Sequence, residues 1–218
     1  MTRLKIVGLC GPKYCGKDSA GQFLANLNIP RNRKLFRLAK MAQGVKNIVE
    51  EVFGWSAELY EHPVLKEVKL EGWPYIEPRW PLMDIANWMR DKYGGDVWAR
   101  RWERVALQPG NRDWGCHVIT DVRFPEELEM MSRHNSRLIY IERPEAEEAL
   151  TAKQKAGDAM ALNQSESHYA FLRDRADIVI RNDRELHNLR NDVQSYIGHR
   201  CGWDHWTAWN VPPLGVMS

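Results

Sequence analysis

No run of about 18 apolar residues occurs in the chain, so no segment reads as a membrane-spanning helix and no membrane partner is expected. Cysteine is scarce. The four are Cys10, Cys15, Cys116 and Cys201. None forms a Cys-x-x-Cys pair, and their spacing fits neither a zinc site nor a disulfide framework. Free thiols in a reducing compartment are the expectation. The seven histidines are scattered, without metal spacing. An excess of one charge sign is missing as well: 31 Lys and Arg face 29 Asp and Glu, for a formal charge of +2. A dedicated nucleic-acid binder carries a strong basic excess, so no nucleic acid polymer is expected as a partner. Residues 1–7 run straight into an apolar segment with no cleavage-site pattern, which leads us to expect a cytoplasmic protein. There is no internal repeat and no low-complexity tract.

What is present suits one packed domain: 218 residues, 44% hydrophobic and 28% charged. Five apolar runs read as strands, Leu4 to Cys10, Lys34 to Leu38, His117 to Thr120, Arg137 to Glu142 and Ala176 to Arg181. Four of them lack polar alternation, as strands buried on both faces do, and Lys34 to Leu38 is mixed. Helical spacing fills the gaps. Ala20, Phe23, Leu24 and Leu27 share one face, as do Val45, Ile48, Val49 and Val52. Leu82 to Leu107 is helical with a break at Gly94-Gly95. Strands alternating with helices predict an α/β fold, a five-stranded parallel sheet covered on both faces. Two segments depart from the alternation. Residues 54–81 are rich in Pro, Trp and Glu with weak periodicity and read as an inserted lobe; residues 144–168 are polar and read as a mobile, solvated helical flap. The ten tryptophans are unevenly placed. Seven lie between Trp55 and Trp114, and Trp203, Trp206 and Trp209 are in the tail.

The strongest motif is Gly11-Pro12-Lys13-Tyr14-Cys15-Gly16-Lys17-Asp18-Ser19. It follows a buried strand and opens a helix, the context a phosphate-binding loop requires. Its glycines let successive N–H groups turn toward phosphate oxygens, the helix N-terminus adds partial positive charge, and Lys17 supplies a point charge to the β- and γ-phosphates. Asp18 stands where a Ser or Thr usually follows the lysine, and Ser19 comes next, so the metal side falls to Asp18 or Ser19. The competing reading is an ordinary glycine turn.

A second apolar strand ends in Asp121-Val-Arg123-Phe-Pro125-Glu126-Glu127, with Pro125 opening a helix. A carboxylate at the carboxyl end of a central parallel strand sits beside the phosphate loop, where Asp121 can order the water shell of Mg²⁺. Arg123 lies at the mouth of the same crevice, and a guanidinium grips phosphate with a bidentate fork. The alternative is a helix-capping Asp with a surface Arg.

Together these residues resemble the deoxynucleoside monophosphate kinases of the bacteriophage type, within the adenylate-kinase-like P-loop kinases. Phe36-Arg-Leu-Ala39-Lys40 is loosely similar to that family's Phe-Ala-x-x-Leu-Lys segment. Arg79-x-x-Leu82, Arg90 and Asp96-Val-Trp98 follow its Arg-x-x-Leu…Arg…Asp-x-Trp spacing. Ser165-Glu166 resembles the Ser-Glu of its flap, and Ala176 to Asp183 its last strand, which ends in Asn182. Met83, Ala86-Asn87 and Asn163 depart from the family pattern at positions near the acceptor. The resemblance, over roughly residues 4 to 197, implies a single P-loop kinase domain (1–218), with 40–114 as the acceptor lobe and 143–175 as the lid; the tryptophan-rich tail, 201–218, lies beyond it. It implies transfer of the γ-phosphoryl of ATP, with Mg²⁺, to a nucleoside monophosphate, and a homodimer.

Roles follow from that resemblance. The loop residues and Asn182 would hold ATP. Asp18 or Ser19, with Asp121, would hold Mg²⁺. Lys40, Arg79, Arg90, Arg123 and Glu166 would bind the acceptor, Glu166 on the sugar or by orienting an arginine. Arg143 or Arg173 would reach the transferring phosphoryl group when the lid closes. Arg90 could equally be a solvated helix residue. Two other functions remain open: a P-loop kinase of another phosphate-bearing metabolite, such as dephospho-coenzyme A, and a nucleotide-binding module without transferase activity. An Asn-Lys-x-Asp base-reading motif, expected of a GTPase, is absent.

Overall fold

The computed structural model describes residues 3–27, 36–62, 64–112 and 114–201. Lys34, at the head of the second expected strand, and Trp203, Trp206 and Trp209 lie outside the described residues. In chain order the elements are β1 Lys5–Cys10, α1 Lys17–Ala25, β2 Phe36–Ala39, α2 Gln43–Phe53, α3 Ala57–Glu61, α4 Arg79–Tyr93, α5 Val97–Ala106, β3 Cys116–Ile119, α6 Pro125–Ser132, β4 Asn135–Glu142, α7 Pro144–Lys155, α8 Tyr169–Arg175, β5 Ile178–Arg181 and α9 Leu186–Cys201. Short 3₁₀ turns occur at Leu65–Glu67 and Gln164–Glu166. The chain forms two compact units, one of Met1–Ala39 with Ala106–Ser218 and the other of Lys40–Val105. Among the described residues no helix is long and apolar enough to cross a membrane.

The first unit is a three-layer α/β structure. Its five strands run parallel in the order β2-β3-β1-β4-β5. All five expected strands are found, shifted by one or two residues at their ends. β1 is central, and five of its six residues are fully buried. This explains its unbroken apolar run: neither face meets water. Val7, Leu9, Val118, Ile139 and Ile141 of the sheet join Ala20 and Leu24 of α1 and Leu189, Val193 and Ile197 of α9 in one core. The chain leaves β1 toward β2 on one side, and leaves β3 toward β4 on the other. The connections after β1 and β3 thus part at the carboxyl ends of two neighbouring strands, which is where a doubly wound sheet opens a crevice.

His117, on β3, is nearly inaccessible at 2% exposure. Burial, reinforced by the charge of Arg37, pulls its pKa down from 6.5 to about 4. Between those values the unfolded chain binds the proton and the folded one does not, so this residue's contribution to stability is lost as the pH falls from 6.5 toward 4. An NMR titration should find the ring neutral down to about pH 4; a midpoint near 6.5 would contradict this burial.

The second unit is helical. The break expected at Gly94-Gly95 separates α4 from α5, with Gly94 at φ 106°. Residues 54–81, non-periodic in sequence, hold α3, a 3₁₀ turn and the start of α4. Their apolar groups serve a local core of Val49, Trp55 and Tyr60, ringed by Phe53, Leu59, Leu70, Leu82 and Ile85. The tryptophans divide by environment. Trp55, Trp98 and Trp102 are buried, and the Trp98 indole donates to the Ala86 carbonyl at 3.2 Å. Trp73, 65% exposed, only tilts against Phe53, and exposed Trp88 meets Tyr93 edge-on.

Candidate active site

The loop between β1 and α1 is held by bonds within it and by two side chains from elsewhere in the fold. Cys15 N–H donates to the Pro12 carbonyl at 3.2 Å, and Lys17 Nζ donates to that same oxygen at 3.0 Å. Asn182 Nδ2 donates to the Cys15 carbonyl at 2.8 Å, and Arg143 Nη1 lies 3.5 Å from the Tyr14 carbonyl. These bonds engage the carbonyls of Pro12, Tyr14 and Cys15 and fix the course of the loop. Two glycines are required by this geometry. Gly11 has φ 135°, and a Cβ there would come within 2.4 Å of the Ile141 carbonyl; Gly16 has φ 102°, and a Cβ there would come within 2.6 Å of Asn182 Nδ2. Tyr14 takes the left-handed conformation, φ 69°, with its ring exposed beneath Lys13 Nζ. Lys17 is 5% exposed. Burial pulls its pKa down and Arg123 adds to the fall, against opposing contributions from Cys15, Asp18 and Glu166. Burial also pushes the Cys15 thiol up, so it is a small packing group of the loop.

β3 runs into the second half of the site. Thr120 Oγ1 donates to Asp18 Oδ1 at 3.0 Å, tying the end of this strand to the first turn of α1. Val122 N–H reaches the Leu9 carbonyl at 3.3 Å, so the Asp121 to Arg123 turn lies alongside the end of β1. The buried carboxylate of Glu127 braces that turn, with Oε2 accepting Arg123 N–H at 2.7 Å and Phe124 N–H at 3.1 Å. Arg123 Nη1 donates to Glu166 Oε1 at 2.5 Å and lies 3.4 Å from Ser165 Oγ. The other Glu166 oxygen accepts the Tyr169 hydroxyl at 2.7 Å. Burial opposes charge on Arg123, yet Tyr169, Glu166 and Asp121 outweigh it and hold the guanidinium charged. Burial likewise opposes charge on Glu166, and Arg123, Tyr169 and Lys17 overcome it, so its pKa falls.

The structure thus gathers Lys17, Asp18, Asp121, Arg123, Glu166 and Asn182 in the first unit, around the ends of β1 and β3. Arg143 and Arg173 are there too, both about half exposed. Arg143 pairs with Glu145 at 3.0 Å and faces the loop, whereas Arg173 is clamped on Glu142 at 2.7 Å. The other expected acceptor residues belong to the second unit. Lys40 and Lys46 share Glu61 at 3.2 and 2.6 Å. Arg79 pairs with Glu67 at 2.8 Å. Arg90 corrects one expectation: it is no solvated helix residue but is buried, with Nη1 on the Gly95 carbonyl at 2.6 Å, where it helps close the α4 to α5 break.

The flap needs correcting as well. α7 buries no residue, as a solvated flap would. The segment that follows does not behave so: Ala161, Glu166 and Tyr169 are buried, and His168 contacts Phe124 at 5.6 Å between ring centres. Its few apolar groups hid this, because a carboxylate and a phenol anchor it. Three residues without a role in the sequence reading emerge here: Thr120 on Asp18, Glu127 under the turn, and Tyr169 behind Glu166. Glu127 carried a signal, a carboxylate in the first helical turn three residues after Phe124. Tyr169 follows Glu166 at a spacing of three, but its partner was not visible.

Among the described residues no group of three or more His, Cys, Asp or Glu could by itself hold a metal. The donors at hand are the oxygens of Asp18, Ser19 and Asp121. Mg²⁺ is bound in this way, through one or two carboxylates with phosphate oxygens and water completing its shell, so the residues fit that ion.

No family model matches the chain, and no curated protein sequence matches it. Solved structures do. TT1252 from Thermus thermophilus superposes with TM-score 0.51 at 13% identity, covering 91% of this chain and 98% of that one. The Mycobacterium tuberculosis APS kinase CysC, solved with AMPPNP and APS, gives TM-score 0.48 at 16% identity over 90% and 99%. Shikimate kinase from Acinetobacter baumannii, solved with shikimate, gives 0.43 at 16% identity over 91% and 93%. At 13% identity the likeness to TT1252 is one of fold, and this chain's own fold is a three-layer α/β protein on five parallel strands, with a glycine-rich loop joining its central strand to the first helix.

Proposed function

We propose that the protein is an ATP- and Mg²⁺-dependent kinase that transfers the γ-phosphoryl group to a (deoxy)nucleoside 5′-monophosphate, giving a diphosphate and ADP. The observation that carries this reading is the pairing of two cations in one cradle. Lys17 lies in the glycine loop that leaves β1, and the turn that carries Arg123 is joined to the end of β1 by the Val122 N–H on the Leu9 carbonyl at 3.3 Å, in keeping with the fall that Arg123 adds to the pKa of that lysine. Two cations at the ends of neighbouring strands suit two phosphates that must be brought together, one on the donor and one on the acceptor. Phosphoryl transfer asks for positioning and charge neutralisation more than for covalent help.

The roles then follow. The loop amides and Lys17 bind the β- and γ-phosphates. Asn182 braces the loop by donating Nδ2 to the Cys15 carbonyl at 2.8 Å, which leaves its oxygen and second N–H for ATP. Mg²⁺, when bound, would neutralise the β- and γ-oxygens, with Asp18 or Ser19 as ligand and Asp121 on its water shell. Arg123 grips the acceptor's phosphate. Lys40 and Arg79 are the proposed acceptor cations of the second unit, and Arg90 supports the backbone there. Of the two lid arginines, Arg143 is the better placed for the transferring group, because it already reaches a loop carbonyl. The acceptor class rests on the resemblance of the Arg79 to Trp98 and Ser165-Glu166 segments to the nucleoside monophosphate kinases.

The test is a coupled ADP-release assay with ATP and Mg²⁺ over all common ribo- and deoxynucleoside monophosphates, with dephospho-coenzyme A and other phosphate-bearing metabolites in parallel. Turnover of about 1–100 s⁻¹ with at least one nucleoside monophosphate is expected. Turnover confined to a metabolite, or slow hydrolysis with no acceptor product, would overturn the reading.

A further inference from the structure

We infer that Glu166, backed by Tyr169, is a positioning residue that presets the guanidinium of Arg123, and that it does not bind the acceptor's sugar. This inference rests on the function proposed above and assigns a role within the same site.

Both oxygens of Glu166 are committed, Oε1 to Arg123 and Oε2 to the Tyr169 hydroxyl. A carboxylate has lone pairs for more than two donors, so commitment alone does not exclude a sugar. Burial decides it. The Glu166 side chain is 3% exposed and Tyr169 is 7% exposed, leaving no open face to a ligand. Arg123, by contrast, keeps a quarter of its side chain exposed. Its guanidinium carries five N–H donors in a rigid fork. Glu166 and Ser165 engage Nη1, and the rest of the fork remains for a phosphate.

The arginine is fixed at both ends. Glu127 grips the backbone N–H groups of Arg123 and Phe124, and Glu166 fixes the far end of the side chain. The Phe124 contact with His168 fastens the segment that carries Glu166 to the same turn. A free arginine loses considerable rotamer entropy when a ligand orders it; one already ordered loses little of it on binding. The gain should appear as acceptor affinity and correct aim, with no direct contact between Glu166 and substrate.

Two variants separate support from sugar contact. Glu166→Gln keeps the shape and weakens the hold, and Tyr169→Phe deletes a single hydroxyl. With any accepted nucleoside monophosphate, Glu166→Gln should raise the acceptor KM about 10- to 100-fold and Tyr169→Phe about 3- to 10-fold, with smaller losses in kcat. Each is then compared on the acceptor and on its 2′,3′-dideoxy analogue. If Glu166 acts only through Arg123, the ratio of kcat/KM for the two acceptors stays as in the wild type. If the ratio collapses toward one in Glu166→Gln, Glu166 binds the sugar and the inference fails. A second measurement needs no substrate. In ligand-free protein the Arg123 Nη protons should exchange slowly by NMR, and markedly faster in both variants. Unchanged exchange would overturn the inference even if the kinase activity is confirmed, whereas failure of every nucleoside monophosphate to react would overturn the proposed function and leave this readout standing.

Discussion

Lys17→Ala is expected to lower kcat by about 10³-fold, roughly 4 kcal/mol of transition-state stabilisation, while the protein remains folded. Both halves follow from the loop. In the proposed reaction Lys17 faces the γ-phosphoryl group, and an enclosed donor is worth far more there than in water. In the free protein Nζ rests on the Pro12 carbonyl, but the Cys15 N–H also reaches that oxygen, so alanine does not orphan it. Burial already penalises the ammonium, as its lowered pKa shows. Removing it relieves the folded state of a poorly solvated charge, and Tm should hold or rise. Steady-state kinetics with a thermal melt check both halves. Turnover at the wild-type rate would mean that the loop does not hold the transferring phosphate.

The glycine loop was legible because its logic is local. Gly11, Gly16 and Lys17 lie within seven residues, between a buried strand and a helix, and each acts through backbone conformation or its own charge. The sheet was legible for a similar reason, since strands buried on both faces leave unbroken apolar runs. Residues defined by distant partners were not. Arg123 and Glu166 are 43 positions apart, and nothing in either neighbourhood says that they pair. The segment around Glu166 looked solvated because its anchor is polar, an ion pair and a phenol hydroxyl. Arg90 stood open between an acceptor contact and a solvated helix residue, because helical spacing does not reveal that its guanidinium folds back onto the carbonyl of Gly95. The tryptophans were visible as a cluster, but only the packing of the second unit separates buried Trp55, Trp98 and Trp102 from exposed Trp73 and Trp88.

Arg123→Ala should lower kcat/KM for the acceptor by about 10³-fold while changing the KM for ATP only a few-fold, because a bidentate, preset fork to phosphate is lost. Arg123→Lys should recover little, since an ammonium cannot span two phosphate oxygens and reach Glu166 as well. A defect confined to ATP would contradict the assignment. The substitution also has a stability signature. In the wild type the pKa of Glu166 is lowered, so its contribution to stability is present above the unfolded carboxylate pKa and lost as the pH falls through the folded value. Without Arg123 the largest influence left on Glu166 is burial, which raises the pKa. Its pKa in the folded state should therefore rise from the wild-type position, and the stability it contributes near neutral pH should fall. The cost near neutral pH should be roughly 2–3 kcal/mol, below the usual figure for a broken buried pair because the arginine is partly exposed. Denaturant unfolding of wild type and variant at several pH values tests this. The gap between them should narrow toward acid pH, and Glu166→Gln added to Arg123→Ala should restore stability at neutral pH. A gap that stays constant with pH would show that Glu166 does not depend on Arg123 for its charge.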